Sequence, residues 1–122
     1  MFDWNEYIEF AKRLDDTVCD ECTCRIAISR LYYGILHLCL AFAKKNIVKS
    51  SEFTQLQRQH EIWDKFGSQA GTNKVYNQIA ILGKKLRKLR NDCDYDSKTP
   101  IDKRNLTQSY KDIDRLLDLI KK

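Results

Sequence analysis

Residues 26–43 read Ile26-Ala27-Ile28-Ser29-Arg30-Leu31-Tyr32-Tyr33-Gly34-Ile35-Leu36-His37-Leu38-Cys39-Leu40-Ala41-Phe42-Ala43. The run is near the lower length limit for a membrane span, but Arg30 and His37 interrupt it. A central Arg costs ~2.5–3.5 kcal/mol on insertion scales. A helix that is apolar around most of its girth and carries two such groups fits the buried centre of a bundle. The expected helix covers about 20–45.

Its surroundings support an all-α fold. The chain has 122 residues, 43% hydrophobic and 32% charged, with only 4 Gly and 1 Pro. Disordered and collagen-like chains are excluded by that composition. One domain, residues 1–122, is expected at this length. Trp4, Tyr7, Ile8, Ala11 and Leu14 mark a first helix over about 2–16, with Asp3 at the cap. A less regular helix is expected from a cap at Ser51 to about Phe66, followed by a loop over 67–71. Val75, Ile79, Leu82, Leu86, Leu89 and Cys93 give the cleanest amphipathic stripe, over about 72–95. A last helix is expected to open at Thr99-Pro100-Ile101-Asp102, with Thr99 as cap and Pro100 in the first turn. Its stripe is Leu106, Tyr110, Ile113, Leu117 and Ile120. The expected architecture is an up-and-down bundle of four to five helices.

Charge is unevenly spread, with a formal net of +5. Residues 1–24 hold seven acids against Lys12 and Arg13. Lys74, Lys84, Lys85, Arg87, Lys88 and Arg90 face only Asp92 within 67–93. Such a block can attract a polyanion such as RNA, or be a solvated helix face. The acidic start has no apolar leader region, and five cysteines do not suit a disulfide framework. A cytoplasmic location without membrane contact is expected. Cys19-x2-Cys22-x-Cys24 is half a zinc site at best and reads as free thiols. No metal or cofactor is expected. Glycine-rich phosphate loops and nucleophile elbows are missing from the sequence.

Two constellations carry polar chemistry. Ala27, Arg30, Gly34, His37 and Ala41 share one helix face. They imply either a buried Arg30 paired with a carboxylate, such as Asp94, or a polar seam toward a cleft or a second subunit. The second is Leu89-Arg90-Asn91-Asp92-Cys93-Asp94-Tyr95-Asp96. Arg90 stands beside the apolar stripe, at the expected edge of the bundle. Its fork suits two phosphate oxygens, and Asn91 can donate to a third acceptor.

Together these segments resemble a HEPN domain of the small standalone prokaryotic type. The resemblance rests on Arg25-x-Ala27-x-Ser29-Arg30-x-Tyr32-Tyr33-Gly34 with His37, on His60-x5-Phe66, and on Leu86-x2-Leu89-Arg90-x3-Asp94-Tyr95. It implies a helical bundle that pairs as a homodimer. In nuclease members of the family, an Arg, a polar residue and a following His form a metal-independent RNase site across the dimer. Arg90 and Asn91 match the first two positions. No His follows at the family's spacing, and Tyr95 stands nearest that place.

The expected site is therefore Arg90, Asn91 and Tyr95 for chemistry, with Lys84, Lys85, Arg87 and Lys88 binding substrate. Arg30, Tyr33 and Asp94 are expected to support it. Two functions follow from the resemblance. One is an RNA-binding protein acting as an RNase effector in toxin–antitoxin or antiviral defence, with an antitoxin partner. The other is a silent HEPN module that dimerises, binds a nucleotide or docks a nucleotidyltransferase.

Overall fold

A computed structural model describes residues 1–15, 20–46, 59–69, 71 and 73–121. Among the described residues every regular element is helical: α1 (Asn5–Asp15), α2 (Glu21–Asn46), a 3-10 turn (Gln59–Glu61), α3 (Ile62–Ser68), α4 (Lys74–Tyr95) and α5 (Lys103–Lys121). The proposed cap at Ser51 lies outside the described residues. Helix α2 packs on all four other helices, as its composition predicts. By length and composition it could cross a membrane, but 61% of its most apolar window is buried inside the bundle.

Helix α1 starts where Asp3 Oδ1 accepts the Asn5 backbone N–H at 3.0 Å. It lies against α2 at Gly34, where a Cβ would stand 2.9 Å from Ile8 Cγ1 and 3.1 Å from the Trp4 carbonyl oxygen. His37 stacks on Trp4, with ring centroids 3.7 Å apart and planes at 10°. Burial holds the His37 imidazole below its ordinary pKa. The seam of small residues thus meets the chain's own α1 at Gly34 and His37, while Ala41 is exposed. It supplies no argument for a second subunit.

Helix α3 is short, yet buries Ile62, Trp63 and Phe66. Gly67 and Ser68 extend it into the segment expected to be a loop. Helix α4 is capped by Asn73, whose side chain accepts from the N–H groups of Val75 and Tyr76 at 3.0 and 3.4 Å. Its deepest line is Ile79, Gly83, Leu86, Arg90 and Cys93, with Ala80 beside it. Val75, Leu82 and Leu89 are half-buried, so the stripe is rotated from the apolar periodicity toward Gly83. The cause is Trp63. Its six-membered ring occupies the volume that a Cβ at Gly83 would need.

Helix α5 is capped by Asp102, not Thr99. Asp102 Oδ1 accepts from the Arg104 and Asn105 N–H groups, and Asn105 Oδ1 accepts from the Asp102 N–H, a reciprocal capping arrangement. Thr99 instead belongs to the preceding turn, donating its hydroxyl to Asp96 Oδ2 at 2.6 Å. Leu106, Ser109, Asp112, Ile113, Leu116 and Leu119 are the buried residues of α5, with Tyr110, Leu117 and Ile120 half-buried.

Arg25 holds this corner. Its Nη1 donates to the carbonyls of Asp92, Cys93 and Asp96 at 2.9–3.0 Å, and its Nη2 to that of Thr99 at 2.6 Å. Glu21 Oε2 accepts from its Nε at 2.8 Å. A cation over the open carbonyls at the end of α4 also complements the helix dipole.

Candidate functional site

Arg90 is only 4% exposed, deeper than the edge position its sequence context implies. It sits on α4 at the level where α2 presents Tyr32 and Tyr33 and the 3-10 turn presents His60. Arg90 Nη2 donates to Tyr33 OH at 2.9 Å and lies 3.2 Å from His60 Nε2. Arg90 Nη1 donates to Asn91 Oδ1 at 2.8 Å. The guanidinium carbon lies 4.8–5.8 Å from the ring centroids of Tyr32, Tyr33 and Tyr95. These aromatic faces stabilise a cation that has left bulk water.

The far side of His60 is equally defined. Its Nδ1 is 2.6 Å from Tyr32 OH, and Trp63 Nε1 donates to the same oxygen at 3.0 Å. Burial raises the pKa of the Tyr32 phenol; the Trp63 hydrogen bond and the Arg90 charge oppose that shift. Asp94 Oδ2 stands 3.7 Å from Arg90 Nε and accepts the Ser29 hydroxyl at 3.2 Å. Arg90 Nε is buried and makes no hydrogen bond among the described residues.

The basic block divides between two directions. Lys84, Arg87, Lys88 and Asn91 line one groove of about 460 Å³ with Asp64 and Asp92. Lys84 pairs with Asp64 at 3.1 Å and Lys88 with Asp92 at 3.4 Å. Lys84–Asp64 is exposed on both sides, and such a pair contributes about 0–1 kcal/mol, so an incoming anion can displace it; Asp92 is half-buried. Lys85 faces elsewhere, 3.0 Å from Asp112 of α5. Asp112 is buried, which commits Lys85 to the fold.

The structure therefore gathers Arg90, Asn91, Tyr33, Asp94 and Tyr95, with Arg87 and Lys88 alongside. Tyr95 is 77% exposed. Arg30 departs from expectation. It is exposed, its guanidinium over the Tyr7 ring at 5.5 Å, and Arg90 takes the buried place assigned to it. The reason is its position on α2 one turn after exposed Ile26, at the outer edge of the face that Ala27 and Gly34 bury. His60, Tyr32 and Trp63 complete the cluster. Sequence spacing cannot place His60, because it lies 30 residues from Arg90.

Among the described residues no group of three His, Cys, Asp or Glu side chains is placed to hold a metal ion. Cys22 is exposed, Cys24 is buried, and Cys19 lies outside the described residues. Comparisons with family models, curated proteins and solved structures give no match.

Proposed function

We propose that this chain is a HEPN-like RNA-binding protein that cleaves RNA without a metal, with His60 in the role left vacant after Arg90-Asn91. The observation that carries the reading is the 3.2 Å approach of His60 Nε2 to the Arg90 guanidinium. Cleavage by a neighbouring 2′-hydroxyl needs a base, an acid and positive charge at the phosphorus. His60 takes the 2′-hydroxyl proton as the oxygen attacks phosphorus. The 5′-oxygen leaves and takes a proton from Tyr95 or water. Arg90 and Arg87 offset the charge that builds on the phosphate oxygens. The phosphate must compete with Tyr33, Asn91 and His60 for the Arg90 fork, so binding rearranges the cluster. Lys84 and Lys88 exchange their carboxylates for the RNA backbone.

The family resemblance supports a place as a cytoplasmic effector in toxin–antitoxin or antiviral defence, and pairing as a homodimer. Exposed Ile26 on α2 and Tyr95 on α4 offer apolar contact area for such pairing.

The test is labelled total RNA incubated with purified protein, with and without EDTA. Cleavage that persists in EDTA and disappears in His60→Ala supports the reading. A second reading is favoured by the burial of Arg90 and the internal engagement of its fork. In it the cluster is structural, and the protein is a silent module docking a nucleotidyltransferase or binding a nucleotide. RNA binding without cleavage, or neither, would favour that reading.

A further inference from the structure

We infer that Tyr32 is a positioning residue for His60, holding the imidazole tautomer in which Nε2 carries the lone pair. The inference rests on the reading of His60 as the base. It follows from counting donors. A guanidinium only donates, so the nitrogen 3.2 Å from Arg90 Nη2 must accept. A neutral imidazole has one N–H, which then sits on Nδ1. Tyr32 OH stands 2.6 Å from Nδ1 and accepts that N–H as a hydrogen bond.

Tyr32 suits the task. It is fully buried in the middle of α2, so its hydroxyl is fixed in space. Trp63 Nε1 donates to one of its lone pairs and leaves the other for His60. Trp63 in turn is 1% exposed and pressed on Gly83. The opposite tautomer would set Nε2–H against an Arg90 N–H, two donors facing each other. Arg90 and Tyr32 thus act from opposite sides of the ring. When a phosphate draws Arg90 away, Tyr32 still holds Nδ1–H, and the lone pair on Nε2 is left for a proton.

The tautomer can be read without RNA, by long-range proton–nitrogen correlation spectra of the full chain. His37 and His60 are the only histidines, so His37→Gln identifies the His60 signals. The expected wild-type spectrum has a protonated Nδ1 and an unprotonated, pyridine-type Nε2. In Tyr32→Phe the two nitrogen shifts should move toward each other as tautomers mix. On RNA, its kcat should fall while KM is kept. A wild-type His60 protonated at Nε2 overturns the inference. So does a folded Tyr32→Phe protein with the wild-type tautomer and kcat. If Tyr32→Phe does not fold, the wild-type spectrum decides. The expected spectrum in a protein that never cleaves RNA would sink the proposed nuclease and leave the Tyr32–His60 arrangement standing.

Discussion

The indole ring of Trp63 lies on the bare backbone of Gly83, one helix filling the gap left in another. That contact sets the height of α3 against α4. It also brings Trp63 Nε1 to Tyr32, and so Tyr32 to His60. Gly83→Ala must push the ring aside. Helix propensity favours Ala by about 1 kcal/mol. Overpacking costs about 1–3 kcal/mol. A net loss of stability is expected, with a change in Trp63 emission, and thermal melts followed by fluorescence check it. An unchanged or raised Tm would show that α3 shifts without cost.

Arg30 and Arg90 should respond oppositely to truncation. Arg90→Ala removes charged hydrogen bonds to Tyr33 and Asn91 and the contact with His60, and should cost about 2–3 kcal/mol. Arg30→Ala removes one exposed cation–π contact, worth about 0.5–1 kcal/mol. Urea titration of both variants measures the difference. Equal losses would contradict the burial assigned to the two side chains.

The bundle was legible because α2 is apolar around its girth and α4 and α5 carry 3–4 spacing. Two readings failed for physical reasons. Apolar periodicity ranks Leu82 and Leu89 above Gly83 and Arg90, but packing against Trp63 reverses that order. A helical wheel cannot register a ring supplied by another segment. Thr99-Pro100 looked like a cap, yet Asp102 and Asn105 satisfy each other's backbone groups and start α5 later. Arg90, Asn91 and Tyr95 were visible as a motif. His60 stood in the quoted resemblance, but its place beside Arg90 depends on how the 3-10 turn delivers it across the bundle. Arg25 stood in the quoted motif, but only the fold shows it over the carbonyls of α4.

Acid should weaken the protein through its turns. Backbone N–H donation from Thr23 lowers the Asp20 pKa; the Thr99 hydroxyl bond chiefly lowers that of Asp96, and a side-chain bond from Arg104 that of Asp102. Each carboxylate therefore contributes stability above its unfolded value of about 4. That contribution is lost as pH falls through the depressed folded values. Tm measured downward from pH 5 should decline below about 4. Asp102→Asn should reduce the decline while keeping a cap. A pH-independent Tm in this range would refute the assignment.

Thiol labelling should separate the cysteines. Burial pushes the Cys93 thiol up to about 12 and raises Cys39 as well, and thiolate is the reactive form. Cys22 is exposed. Iodoacetamide at neutral pH should modify Cys22 in the native protein, and Cys39 and Cys93 only after denaturant is added. Peptide mass mapping reads the order. Rapid native labelling of Cys39 would show that α2 is not the bundle's centre.

The grip of Arg25 has a kinetic consequence. Its carbonyl partners lie 67–74 residues further along the chain, whereas α1 meets α2, and α3 meets α4, as sequence neighbours. Contacts between near neighbours close small loops and form early; a distant clasp waits until chain entropy has been spent. Arg25→Lys should therefore steepen escape from the native state and leave the refolding rate almost untouched, as stopped-flow chevrons would record. The corner where α4 ends is then less a scaffold for folding than a brake on unfolding.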